Sequence, residues 1–150
     1  MSELRELYQQ VILDHHRKPR NCRTLPRSTG RAEGYNPLCG DRVSVEVETE
    51  DGLVRDIGFQ GSGCAISRAS ASMMTASLKG QTVAEAEKTF DRFHRMLTES
   101  PPSRELTDAL GKLAVFAGVR EFPSRIKCAT LPWHTARTAL AGKGEPVSTE

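Results

Sequence analysis

The sequence has no apolar run long enough to cross a bilayer and no excess of charge of one sign. Lys and Arg number 21 and Asp and Glu number 19, so the formal net charge is +2. A membrane span needs about 20 consecutive apolar residues, so we expect no membrane helix. The balanced charge gives no reason to expect nucleic acid or an acidic membrane as the main partner. The polar opening segment Met1-Ser2-Glu3 does not resemble a signal peptide, which predicts a cytoplasmic location.

Internal repeats and low-complexity segments are also missing, which argues against a repeat architecture. A chain of 150 residues is long enough to bury a core of its own. We therefore predict a single domain over residues 1–143. The remaining residues, 144–150, are rich in small and polar side chains, and we expect them to form a flexible tail.

Cysteines are few and do not form the closely spaced pairs of a zinc finger. The four are Cys22, Cys39, Cys64 and Cys128. Two disulfides would suit a small secreted protein, but this chain is neither small nor equipped with an export signal. In a reducing compartment, thiols are more often metal ligands or catalytic groups.

The hydrophobic periodicity changes along the chain from helix to strand and back to helix. Val43, Val45 and Val47 alternate with polar residues, as in a half-buried strand, and Asp51-Gly52 supplies a tight turn into the next strand. Helical patterns come before and after this section. Because strands and helices are segregated, the sequence predicts an α+β fold, in which an antiparallel three-stranded sheet is covered by helices.

Two helices are predicted in the C-terminal third. The segment 104–118 has leucines at helical spacing and predicts one continuous helix. After a loop that contains Pro123, the last helix is predicted to begin at Cys128, because Pro132 is then in the first turn, where proline is tolerated.

Three of the cysteines have unusual neighbours. Cys39 is followed by Gly40 and Asp41 where a strand begins, whereas Cys64 and Cys128 are each expected at a helix N-terminus, which favours the thiolate. Three thiolates and one carboxylate would make a tetrahedral zinc site, and the carboxylate would be the more easily displaced ligand. The long separations along the chain leave a second interpretation open, in which all three cysteines are buried as small hydrophobic residues.

Four segments resemble one known family. They are "LYQQVILDHHRKPRN" (7–21), "NPLCGDRVSVEV" (36–47), "FQGSGCAISRASASMMT" (59–75) and "KCATLPWHTA" (127–136). Together they are similar, in the same order, to the iron–sulfur cluster assembly family that includes IscU, SufU and the N-terminal part of NifU. The resemblance covers residues 4–141.

Within that family the chain looks most like the SufU branch. The separation between Cys64 and Cys128 is longer than in IscU, and Lys127 stands where IscU-type proteins have histidine. The segment "FPSRIKC" also lacks the Leu-Pro-Pro-Val-Lys stretch that dedicated Hsp70 chaperones grip in IscU. These departures speak against an Hsp70 handoff and against ordinary scaffolding.

The resemblance implies a zinc-dependent sulfur acceptor with sulfurtransferase-like activity. Its zinc ligands would be Cys39, Asp41, Cys64 and Cys128, and Cys39 would accept persulfide sulfur from a pyridoxal-phosphate cysteine desulfurase of the SufS type. Downstream SUF assembly proteins would be further partners. In the alternative, the same residues hold iron or a [2Fe–2S] cluster, and the protein is a scaffold that builds the cluster and hands it on. A third alternative is a non-catalytic interaction domain that zinc stabilises.

The remaining candidate residues have less specific interpretations. Arg125 and Lys127 precede Cys128 and either stabilise anionic sulfur or are solvated loop charges. Cys22 lies outside the matching motifs and is predicted to be a free surface thiol. His94 and His134 are predicted to be surface or packing residues rather than metal ligands.

Overall fold

The computed structural model describes residues 2–37, 39–98, 104–141 and 147–148. Its elements, in chain order, are α1 (Ser2–Arg17), β1 (Gly30–Asn36), β2 (Asp41–Glu50), β3 (Leu53–Ser62), α2 (Ala65–Leu78), α3 (Val83–Thr98), α4 (Arg104–Leu110), a 3₁₀ helix (Gly111–Glu121), α5 (Pro123–Ala141) and β4 (Val147–Ser148). The prediction of an α+β fold is confirmed. Within the described ranges, no helix has both the length and the apolar character needed to cross a membrane.

The sheet has the strand order β3-β2-β1-β4. β2 pairs antiparallel with both β1 and β3, which confirms the three-stranded antiparallel sheet. β4 adds a short parallel pairing beside Gly34 and Tyr35 of β1, and the sequence did not predict it. Of the predicted tail, 144–150, the structure describes only residues 147–148, so the tail's flexibility stays a prediction.

The turn between β2 and β3 has the predicted chemistry. Asp51 and Gly52 have φ angles of 53° and 76°, the left-handed pair that a two-residue hairpin turn requires. This turn fixes the register at one end of the sheet. At the other end, Asn36 pairs with Asp41, and Arg42 pairs with Ser62. The chain between Asn36 and Asp41 and the chain after Ser62 therefore leave the sheet side by side.

The core lies between the sheet and the helices. The inward side chains of β2 and β3 are buried against α2 and α5, and they include Val43, Val45, Val47, Ile57 and Phe59. Behind α5, Trp133 stacks on Phe93 of α3 with ring centroids 4.4 Å apart and meets Phe90 edge-on at 5.6 Å. This aromatic cluster fixes α5 against α3, and α5 carries Cys128.

The prediction of one continuous helix over 104–118 is wrong. α4 ends at Leu110, and Gly111, the first residue of the 3₁₀ helix, has a φ of 58°, which breaks the α-helical hydrogen-bond pattern. The predicted apolar residues are nevertheless buried, among them Leu106, Leu110 and Leu113. The hydrophobic pattern identified the buried face correctly but did not locate the break.

The predicted start of the last helix is also wrong. α5 begins at Pro123, a favoured first residue because its fixed φ suits the helix and its missing N–H is not needed there. Cys128 consequently lies in the second turn, and Pro132 lies in the helix interior. Because Pro132 has no N–H, the carbonyl of Cys128 lacks its usual partner four residues later. Burial of Pro132, Trp133 and their neighbours holds the helix together across this defect.

Candidate metal centre

Four segments meet at the end of the sheet described above. Cys39 lies in the turn between β1 and β2, and Asp41 is the first residue of β2. Cys64 follows β3 and is the N-cap of α2. Cys128 reaches the same place from the second turn of α5. Residues distant in sequence thus converge because three strand ends and one helix meet there.

The distances define a compact group. The ligand atoms of Cys39, Asp41 and Cys128 all lie within 4.8 Å of one another. The two sulfurs of Cys39 and Cys128 are 3.3 Å apart, and both cysteines are free thiols. This three-residue group does not include Cys64, but the Sγ atom of Cys64 is 3.9 Å from Asp41 Oδ2. The four predicted ligands are therefore neighbours, with Cys64 on the Asp41 side.

The carboxylate of Asp41 is buried and held from one side. Its Oδ1 atom accepts the backbone N–H of Cys64 at 2.8 Å, which leaves Oδ2 directed toward the sulfurs. Gly63 makes this approach possible, because a Cβ at that position would collide with the carboxylate of Asp41. The glycine before Cys64 is thus a steric requirement of the site.

The environment of Cys64 favours ionisation. A hydrogen bond from the Cys128 thiol, together with the backbone N–H groups of Ser67 and Ile66, lowers the pKa of Cys64 to about 6 despite its partial burial. The same hydrogen bond, with burial, raises the pKa of Cys128 far above its usual range. Without metal, the pair therefore keeps its proton on Cys128 and ionises first at Cys64. The predicted helix N-terminus is confirmed for Cys64 and wrong for Cys128.

Arg125 lies in the first turn of α5 and faces the thiols. The negative charge of the Cys64 thiolate, followed by that of Cys128, raises the pKa of the Arg125 guanidinium. The exposed Arg125 is therefore placed where it can offset thiolate charge, and both of its interpretations stay predictions. Lys127 is half-buried, and its role stays open.

Asn36 is the residue that the sequence reasoning missed. It is completely buried at the end of β1, and its Nδ2 donates to Cys128 Sγ at 3.5 Å. Ala32, Gly34 and Asn36 all lie on the buried side of β1. An amide at a core-facing strand position three residues before a cysteine was a usable signal, because buried amides need partners.

The other candidates lie apart from this group. Cys22 is exposed, as predicted. His94 and His134 contact each other edge-on, with ring centroids 5.9 Å apart, and this agrees with their predicted packing role. Throughout 2–37, 39–98 and 104–141, the only cluster with the geometry of a metal site is formed by Cys39, Asp41 and Cys128.

The donor set suits a single thiophilic ion. Zinc is usually four-coordinate and prefers thiolate and imidazole ligands, with carboxylate as an accepted third type. Asp41 and Cys128 are buried, whereas Cys39 is exposed. The arrangement can therefore hold an ion from the protein side while it presents one sulfur to a partner.

Comparison with known proteins places this geometry in a family. The model of the NifU-like N terminal domain matches residues 7–129. The "Zinc-dependent sulfurtransferase SufU" of Bacillus subtilis is 39% identical over 142 residues, which cover 93% of each chain. The "Iron-sulfur cluster assembly scaffold protein IscU" of Streptococcus pyogenes is 38% identical over 93% of this chain and 86% of that protein.

A solved structure agrees with the sequence comparisons. The putative iron–sulfur cluster assembly scaffold protein for the SUF system from Fervidobacterium islandicum superposes with a TM-score of 0.80 at 30% identity, over 87% of this chain and 94% of that one. Fold, motif order and sequence identity thus agree over most of the chain. The chain belongs to the NifU-like N-terminal domain family, the iron–sulfur cluster assembly proteins that include SufU and IscU.

Proposed function

We propose that this protein is a zinc-dependent sulfur acceptor in iron–sulfur cluster biogenesis. In this proposal, a pyridoxal-phosphate cysteine desulfurase of the SufS type supplies persulfide sulfur, Cys39 accepts it, and downstream SUF assembly proteins receive it. The observation that carries the proposal is the contrast within the thiol group. Cys39 is exposed, whereas Cys128, only 3.3 Å away, is fully buried.

The ligands would be Cys39, Asp41, Cys64 and Cys128, a set of three sulfurs and one oxygen. Bound zinc would keep the thiolates deprotonated at neutral pH, and it has no redox chemistry of its own. Three thiolates and one carboxylate carry four negative charges against two positive charges on the ion. Arg125 beside the sulfurs offsets part of this excess.

The transfer step resembles thiol–disulfide exchange. The Cys39 thiolate attacks the outer sulfur of the donor's persulfide, and a new S–S bond forms on Cys39. The donor's own S–S bond breaks, and the electron pair leaves with the donor cysteine as a thiolate. Cys39 thereby carries the persulfide, and no external oxidant or reductant is required.

A sulfur-labelling experiment tests the proposal. Zinc-loaded protein is mixed with a cysteine desulfurase and ³⁵S-cysteine, and label and turnover are measured for the wild type, Cys39→Ser and Cys22→Ser. We expect label on Cys39 in the wild type, loss of label and of desulfurase stimulation in Cys39→Ser, and normal behaviour in Cys22→Ser, whose thiol is exposed but does not belong to the candidate metal group. Near-complete stimulation by Cys39→Ser would remove Cys39 as the acceptor.

The second candidate function is a scaffold for a [2Fe–2S] cluster. It is supported by the 38% identity to a protein named as an IscU scaffold and by the affinity of thiolates for iron as well as zinc. Anaerobic reconstitution followed by delivery to an apo-ferredoxin separates the two functions. Efficient cluster delivery without sulfur label on Cys39 favours the scaffold. If the protein neither accepts sulfur label nor delivers a cluster, and unfolds when zinc is removed, it would be an interaction domain that zinc stabilises.

A further inference from the structure

The candidate ligands differ in how the protein holds them. Asp41 Oδ1 accepts the Cys64 N–H at 2.8 Å, and Cys64 Sγ accepts the Ser67 N–H at 3.5 Å. Cys128 Sγ accepts the side-chain N–H of Asn36, also at 3.5 Å. Each of these three ligands therefore has a fixed donor besides any metal ion.

Cys39 lacks such a donor. Within the described part of the chain, no N–H group donates to Cys39 Sγ, and its hydrogen-bond contact is with the Cys128 sulfur. Cys39 is also exposed, so its sulfur can be solvated by water when it leaves an ion. Detachment of Cys39 consequently breaks no hydrogen bond from an N–H group of the residues that the structure describes.

Detachment of Cys128 would have a different cost. Its sulfur accepts a hydrogen bond from a completely buried amide, and detachment of Cys128 would break that bond. Asn36 also accepts the Gly40 N–H at 2.8 Å through its backbone carbonyl, which closes the turn that carries Cys39. Asn36 thus contacts the Cys128 sulfur with its side chain, and its backbone carbonyl stabilises the turn that carries Cys39.

We propose that Asn36 is the positioning residue that decides which thiolate exchanges. By donating to Cys128 Sγ, it keeps Cys128 as a permanent ligand, so that ligand exchange is confined to Cys39. This inference rests on the proposed function, because it explains why the acceptor is Cys39. It adds a residue outside the ligand set and gives it a defined effect on one sulfur.

The order in which the wild-type thiols react is the first test. Zinc-loaded protein is treated with N-ethylmaleimide, and the labelling rate of each cysteine is followed by peptide mass spectrometry, with exposed Cys22 as the internal reference. We expect Cys39 to react faster than Cys128, because Cys39 is exposed and Cys128 is buried and accepts the Asn36 N–H. Equal rates at Cys39 and Cys128 would overturn the proposal.

Two variants of Asn36 test the hydrogen bond itself. Asn36→Leu removes the N–H and keeps most of the volume, whereas Asn36→Ala also leaves a cavity. At zinc concentrations that keep each protein loaded, both should raise Cys128 labelling relative to Cys22 and leave Cys64 labelling unchanged. Zinc affinity, measured against a chromogenic chelator, should fall about 10- to 100-fold.

Thr135→Val is the matched control. It removes a buried hydroxyl from α5, the helix that carries Cys128, and that hydroxyl donates to the Leu131 carbonyl rather than to a sulfur. Its labelling pattern and zinc affinity should equal those of the wild type. Trp133 fluorescence reports whether each variant is folded, and if both unfold, Asn36→Gln, which keeps an amide but lengthens the side chain by one methylene, is measured in their place. Wild-type labelling and zinc affinity in the folded variants would refute the proposal. No readout uses a desulfurase, so a failure here is separate from a failure of sulfur transfer.

Discussion

Replacing Gly63 with alanine tests whether the site depends on the close approach of Asp41. An added Cβ would collide with the carboxylate of Asp41. Because that carboxylate is completely buried, it has little room to move aside. Two responses are possible. Either Asp41 shifts and gives up the hydrogen bond from the Cys64 N–H, or it stays and the backbone around Gly63 moves.

Both responses cost a similar amount. A hydrogen bond to a charged group contributes about 1.5–3 kcal/mol, and overpacking of a well-packed region costs about 1–3 kcal/mol. We therefore expect Gly63→Ala to lower the free energy of unfolding of the metal-free protein by about 1–3 kcal/mol. For a domain of this size, each kcal/mol corresponds to about 2–4 °C in Tm, so the melting temperature should fall by roughly 2–12 °C.

Thermal unfolding of metal-free protein, followed by circular dichroism and Trp133 fluorescence, measures the effect on the fold. Zinc competition with a chelator measures the effect on the site, and we expect weaker zinc binding because the first response displaces Asp41 and the second displaces the adjacent Cys64. Gly118→Ala is the control, since a Cβ there meets no atom within 4 Å. If Gly63→Ala melted at the temperature of Gly118→Ala and bound zinc as tightly, the steric argument would be refuted.

Three further changes have expected outcomes. In metal-free protein the pKa of Cys64 is lowered from 9.0 to about 6, so its alkylation rate should rise with a midpoint near pH 6. Because the folded pKa lies below the unfolded one, the contribution of Cys64 to stability should be lost as the pH falls from 9 toward 6. An alkylation midpoint near pH 9 would contradict the lowered pKa. Arg125→Ala should slow sulfur transfer, most strongly at low salt, where charge interactions are least screened. Arg55→Ala, which removes one partner of an exposed ion pair with Glu50, should not slow it. Equal transfer rates in the two variants would show that Arg125 is a solvated charge. Pro132→Ala should raise Tm by a few degrees, because proline in a helix interior costs about 3 kcal/mol, more than the free energy of burying the extra ring atoms. A lower Tm would show that packing of the ring contributes more than the helix defect costs.

The strands were predictable because their physics is local. Val43, Val45 and Val47 alternate with polar residues since one face of β2 is buried, and Asp51-Gly52 adopts the left-handed conformations that its residue types favour. Cys64 was correctly placed at a helix start for the same reason. β3 ends at Ser62, only Gly63 separates it from Cys64, and the periodicity changes directly after Cys64.

The errors occurred where distant contacts decide the structure. Pro132 breaks the local rules for helices, and only its burial beside Trp133 explains why α5 continues through it. The contact between Asn36 and Cys128 spans most of the chain and depends on how α5 lies against β1. The hydrophobic periodicity of β1 and that of α5 do not predict how these two elements are oriented relative to each other. Similarity to a family supplied the candidate ligands, but it did not supply the hydrogen bonds that distinguish one candidate from another.

The spacing of the ligand atoms favours a single ion over a two-iron cluster. With zinc–sulfur bonds of about 2.3 Å, two thiolates on one tetrahedral ion lie about 3.8 Å apart. Cys39 and Cys128, at 3.3 Å, need to separate by only about half an ångström to reach that distance. The carboxylate of Asp41 lies within 4.8 Å of both. A [2Fe–2S] cluster would instead require its four ligands as two pairs, one on each iron, with the pairs spread further apart. With Cys39 and Cys128 on one iron, Asp41 would be a ligand of the other and would have to move away from both sulfurs, against its buried position and its bond from the Cys64 N–H.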